Sequence, residues 1–90
     1  MIKFIHAYVK PKKGVTIAEV DAAMDAAVDW FRYSNTCWII KTTSDPGKWL
    51  TKLRNLVDPD GSLLMFEINP RARQGWMSKT FWDWIRKASK

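Results

Sequence analysis

The 90-residue sequence predicts one α+β domain spanning residues 1–90, with four strands and three helices in the order β-α-β-β-α-β-α. Three observations lead there. Two helical patterns carry their own start signals: Thr16 with Glu19 three residues on, and Asp45 followed by Pro46. Two runs, residues 2–9 and 62–68, are rich in β-formers and bounded by turn residues. Between the helices, "DWFRYSNTCWIIKTT" (29–43) sets aromatic and β-branched residues on either side of a Ser-Asn pair.

The elements follow in order. In residues 2–9, Phe4, His6 and Tyr8 alternate with Ile5, Ala7 and Val9, so both faces are apolar enough for a central strand. "PKKG" breaks it. A capping box at Thr16 and helical spacing of Ile17, Val20, Met24, Ala27, Val28 and Phe31 predict a first helix over 16–28. One helix through residue 42 would have no cap and would fill its second half with poor helix formers. A hairpin is therefore expected: a short strand over 29–33, a Ser34-Asn35 turn in which Asn accepts positive φ, and a return strand over 36–43. The rival, three strands each followed by a helix, leaves the aromatic residues 29–33 in a loop. Asp45 as N-cap and Pro46 at the first position open a second helix, with Trp49, Leu53, Leu56 and Val57 on one face and Pro59 as its stop. "SLLMFEI" is a strand launched from Asp60-Gly61 and stopped by Pro70; "SKTFWDWIRKASK" is a terminal helix with Phe81, Trp84 or Ile85, and Ala88 inward. A β-α-β-β-α-β order with an antiparallel sheet is the ferredoxin-like pattern, here with an extra C-terminal helix.

Composition narrows the chemistry. An apolar fraction of 47% argues for a folded chain. One cysteine, Cys37, rules out an internal disulfide, and with a single histidine, His6, soft ligands for a metal are almost lacking. No run reaches the length of a membrane span or a signal peptide, so a cytoplasmic protein is expected. Nucleophilic catalysis has little support: His6 reads as a half-buried strand residue and Cys37 as an inert core thiol. There is no glycine-rich phosphate loop, and Asp21 and Asp25 read as a solvated helix face.

Fifteen Lys and Arg against nine Asp and Glu leave +6, a balance that favours phosphate-bearing partners. Lys10, Lys12 and Lys13 follow the first strand and Arg71 and Arg73 the last, on a loop that Gly75 frees. Six tryptophans accompany them. Trp30, Trp38 and Trp49 fall at core positions, whereas Trp76, Trp82 and Trp84 crowd the segment after "NPRARQG". Trp82 and Trp84, diverging by roughly 200° on a helix, cannot both be buried against one sheet, so one is expected to be exposed or covered by a partner. They are read as interface residues and Trp76 as a stacking residue.

"KFIHAYVKPKKG", "DWFRYSNTCWIIKT", "LVDPDGSLLMFEI" and the Trp-rich final helix together resemble the small bacterial and phage proteins called SinR-like, which are similar to CRISPR-associated adaptation nucleases of ferredoxin-like fold. The likeness spans nearly the whole chain and is strongest in the hairpin, where the family shows a paired aromatic, a turn and then Thr-Trp-Ile-Val-Lys-Thr. It implies a homodimer built through the sheet. The nuclease relatives end the first strand with Tyr-Asp, that Asp being the expected metal ligand; here Tyr8 is followed by Val9, and valine cannot hold Mg²⁺. The expectation is then a non-enzymatic, homodimeric protein without cofactor or metal, binding nucleic acid or a small signalling nucleotide. Lys10, Lys12, Lys13, Arg71 and Arg73 would neutralise phosphates while Trp76 or Tyr8 stacks on a base. Phage-type counter-defence by sequestering a host nucleotide is one context for such a protein. The alternatives are a module docking a host protein through the Trp-rich segment, and a metal-dependent ribonuclease in which Asp45 or Glu67 replaces the missing acid.

Overall fold

The computed structural model describes residues 1–90. Strands β1 (Lys3–Lys10), β2 (Asp29–Ser34), β3 (Cys37–Thr42) and β4 (Ser62–Ile68) form one antiparallel sheet in the order β2-β3-β1-β4. Helices α1 (Ile17–Met24) and α2 (Pro46–Val57) cover one face of it, and α3 (Lys79–Ala88) covers part of the other.

Strand alternation divides the two faces. From β1 and β3, Ile5, Ala7, Val9, Trp38 and Ile40 point at α1 and α2 and meet Val20, Met24, Trp49, Leu53 and Val57 in the main core. Phe4 and Ile39 point the other way, onto Phe81, Ile85 and Ala88 of α3. Central placement of β1 follows from its two apolar faces, as the sequence predicts.

Three local expectations need correction. The first helix ends at Met24, not at residue 28, because the Val28 amide already donates to Lys41 O in the sheet and Trp30 must reach the core face. The hairpin turn is Asn35-Thr36, one residue later than expected, and no non-glycine residue takes positive φ. A register irregularity at Tyr33 absorbs the extra residue instead. Asp21 and Asp25 are not merely a solvated face: Asp21 Oδ1 accepts from the buried Trp38 indole (2.9 Å) and from Arg32 Nε (3.1 Å), and Asp25 accepts from Trp30 (2.9 Å). An indole N–H taken out of water needs such a partner, and the helix carboxylates supply it.

Caps and close approaches complete the frame. Thr16 and Glu19 form both halves of the capping box. Asp45 precedes Pro46 as expected, but its carboxylate turns to Lys3, which also reaches Glu67 at 3.6 Å. Gly61 is required: a Cβ there would collide with Lys10 O and lie 2.9 Å from Lys12 N, where the chain after β1 is stitched to the end of α2. No helix is long and apolar enough to cross a membrane.

Candidate functional site

The antiparallel pairing of β1 and β4 decides which predicted site residues can act together. Lys10 lies opposite Ser62, at the start of β4, while Phe4 lies opposite Ile68, at its end. Residues 10–13 and residues 69–73 therefore emerge at opposite ends of the sheet, about 20 Å apart at ~3.4 Å per residue. The fold does not bring Lys10, Lys12 and Lys13 together with Arg71 and Arg73. They stand beside the end of α2, where Lys12 N–H donates to Leu56 O and Lys13 N–H to Asp60 Oδ1.

At the other end a cleft of about 380 Å³ opens between the second face of the sheet, α3 and the connecting segment 69–78. Its floor is Ile39, Ile68, His6 and Tyr33; its walls are Phe81, Trp82 and Ile85 of α3, and Arg73, Gln74, Trp76 and Met77 of the connection. This size and mixture, apolar with a few polar groups, is that of a small-ligand site. Trp76 stands at its rim 99% exposed, an indole that packs against nothing in its own chain.

His6 and Tyr33 were not picked out together from sequence, and they form the polar floor. Tyr33 Oη and His6 Nε2 are 2.5 Å apart, with the rings tilted at 51°. Burial lowers the imidazole's pKa from its usual value, and burial, then the Cys37 thiol, pushes the phenol up to about 12. Both groups are thus neutral near pH 7, and either can supply the proton they share: the phenol donates to Nε2 when the imidazole carries its proton on Nδ1, and accepts when it carries it on Nε2. The pair bridges over β3, so only the strand order could reveal it. Its sequence trace is limited to the alternation that puts His6 on one face with Phe4 and Tyr8.

Arg71 and Arg73 are held more firmly than a free loop would hold them. Arg71 donates through Nε (3.3 Å) and Nη2 (3.2 Å) to Ser89 O, capping the end of α3. Arg73 donates through Nη1 to Pro70 O (3.0 Å) and Ser89 Oγ (3.4 Å). Neither is ion-paired, whereas Lys3, Arg32, Arg54, Lys79 and Arg86 each meet a carboxylate.

Tyr8 is half-buried on the same face, between Cys37 and Leu64, outside the cleft. Beside it Leu64 and Phe66 are 53% and 58% exposed. Trp82 and Trp84 are both half-buried, so neither is fully buried against the sheet. They flank the buried line of α3: Trp82 packs on Phe81 and walls the cleft, and Trp84 lies 5.5 Å from Phe31 and donates to Asp29 Oδ2 at 3.0 Å. Of the proposed substitute acids, Asp45 and Glu67 both face Lys3, and the Lys3 hydrogen bond lowers the Asp45 pKa. No three of the His, Cys, Asp and Glu side chains gather as a metal-holding group. No protein-family model, curated protein or solved structure matches this chain.

Proposed function

We propose that this is a non-enzymatic binding protein whose cleft takes a phosphate-bearing ligand with a flat ring, a nucleotide or a nucleic-acid strand. The ring would stack on Trp76, against the apolar walls, with a phosphate on the Arg73 and Arg71 guanidiniums. One observation carries the reading: two arginines with no carboxylate partner stand beside a cleft rimmed by a fully exposed indole. Stacking on an exposed aromatic tolerates any base, and guanidinium is the side chain best matched to phosphate. Lys10, Lys12 and Lys13, at the far end, fall outside this site and would add only a long-range positive field.

The ferredoxin-like reading, with its SinR-like resemblance, belongs to the same proposal. The β-α-β-β-α-β order with β1 and β3 central supports it, as does the packing of α1 and α2 on one face. A homodimer through the sheet is part of it too, favoured by the exposed Leu64 and Phe66 on the edge strand β4. Light scattering on the purified protein checks that point, with twice the 10.5 kDa chain mass expected. The ligand reading is tested by titrating ribonucleoside 5′-monophosphates and short RNA while following Trp fluorescence. Quenching that saturates, and is lost in Trp76→Ala, is expected. A signal from none of them would end it.

A further inference from the structure

We infer that the site is built for two successive phosphates, so that its ligand is a strand of linked nucleotides and not a mononucleotide; this rests on the ring-and-phosphate reading above. Ser89 holds both arginines, Arg71 through its carbonyl oxygen and Arg73 through its hydroxyl. Two hydrogen bonds and the width of one serine keep the two cations within about 10 Å of each other. Each guanidinium has five N–H donors, of which two are engaged, so three remain on each. Like charges held this close by neutral acceptors repel, and an anion between or beside them removes the repulsion.

The two arginines face different hollows. Arg73 lines the aromatic cleft, with Trp76 and Trp82. Arg71 lines a second notch of about 270 Å³, together with Lys41 from β3 and Lys90 after α3, and no acidic side chain lines it. Asn69 and Pro70 border both hollows, which therefore lie on either side of one corner of the chain. Complementing the negative end of α3 accounts for Arg71. It does not account for Lys41, which projects from the sheet and makes no ion pair, or for Arg73, whose acceptors are a hydroxyl and a loop carbonyl. The cleft has walls for a base; the notch offers three cations and suits a phosphate. A strand crossing the corner would lay one nucleotide in the cleft and its neighbouring phosphate in the notch.

The experiment is anisotropy with a 5′-fluorescein RNA hexanucleotide of mixed sequence, competed with the unlabelled hexanucleotide and with the four ribonucleoside 5′-monophosphates. The unlabelled hexanucleotide is expected to compete at least about tenfold better than any monophosphate, because it fills the second cationic seat. Lys41→Gln and, separately, Lys90→Gln are expected to weaken hexanucleotide binding and reduce the steepness of its salt dependence by ~0.7 for each phosphate no longer neutralised. Monophosphate inhibition constants should stay unchanged in both. Using two variants from different elements guards against one of them disturbing the fold. If monophosphates compete as well as the hexanucleotide, or both variants keep the full salt slope, the two-phosphate inference falls while the ring-and-phosphate reading stands. If neither the hexanucleotide nor any monophosphate binds, both fall.

Discussion

The two faces of the sheet are covered in different ways. On the first, α1 and α2 close over Ile5, Ala7, Val9, Trp38 and Ile40, all fully buried. Every polar group there is answered: the Trp38 indole by Asp21, and the Trp49 indole by Thr42, the one buried polar residue. On the second, α3 buries Phe4 and Ile39 but leaves His6, Tyr8, Leu64 and Phe66 half-covered or open, with a cleft along its side. The first face holds the fold together. The second, held by fewer and more exposed contacts, can give up surface to a ligand without endangering the first.

Substitutions that empty the two covers should therefore differ in kind. Leu53→Ala, at a fully buried site beneath α2, is expected to cost about 2–5 kcal/mol and to lower the midpoint of the whole urea transition. Phe81→Ala removes the ring that meets Phe31, Tyr33 and Trp82. It should loosen α3 alone, so that amides of residues 79–88 exchange faster while those of β1 and β3 keep their protection. Equal loss of protection throughout the sheet would show that the two faces form one cooperative unit and erase the contrast.

Much of the first face was legible in the sequence because its signals are local. The capping box at Thr16, the Asp45-Pro46 start, the alternation in β1 and the Asp60-Gly61 launch of β4 each act within a few residues. The hairpin was legible in kind but misplaced by one residue, since an irregularity at Tyr33 cannot be inferred from residue types. The site was harder. Arg73 and Trp76 stand out in the sequence because Arg73 lies between the breakers Pro70 and Gly75 and Trp76 directly follows the glycine. That Lys10, Lys12 and Lys13 stand at the other end of the sheet was not legible, because sequence proximity to strand ends does not say which end is meant, and the antiparallel register does. His6 with Tyr33, and Ser89 with Arg71, are pairs separated by 27 and 18 residues that only the fold brings together.

Within the second face, Trp76 and Arg71 should separate binding from folding. Trp76→Ala is expected to weaken RNA binding by about 1–3 kcal/mol while changing stability by no more than ~0.5 kcal/mol, because its indole supports nothing else in the chain. Arg71→Ala should do both: it reduces the salt slope of binding, and it uncaps α3 at a cost on the order of 1 kcal/mol. Exposed arginines on a loop as a rule contribute little to stability, so loss of both would leave folding intact on that ground; their hydrogen bonds to Ser89 and Pro70 argue instead for a measurable loosening of α3. Hydrogen exchange at residues 85–89 decides between them.

The smallest effect expected is that of pH on the floor of the cleft, through His6. Burial lowers its folded pKa below the unfolded value of 6.5, so between the two values the unfolded chain binds more protons than the folded one. The contribution of the neutral imidazole is fully present above 6.5 and is lost as pH falls through the lower, folded value. With that proton bound, Nε2 can only donate, so the Tyr33 hydroxyl must accept from it. The α1 and α2 face carries no histidine, so His6 is the only group of its kind in the chain and the effect is assignable. His6→Gln should flatten the stability profile between pH 7 and 5 relative to the parent, read from urea midpoints at each pH. Parallel profiles for the two proteins would mean that the imidazole titrates alike in the folded and unfolded chain, and that its burial in the cleft floor does not shift it.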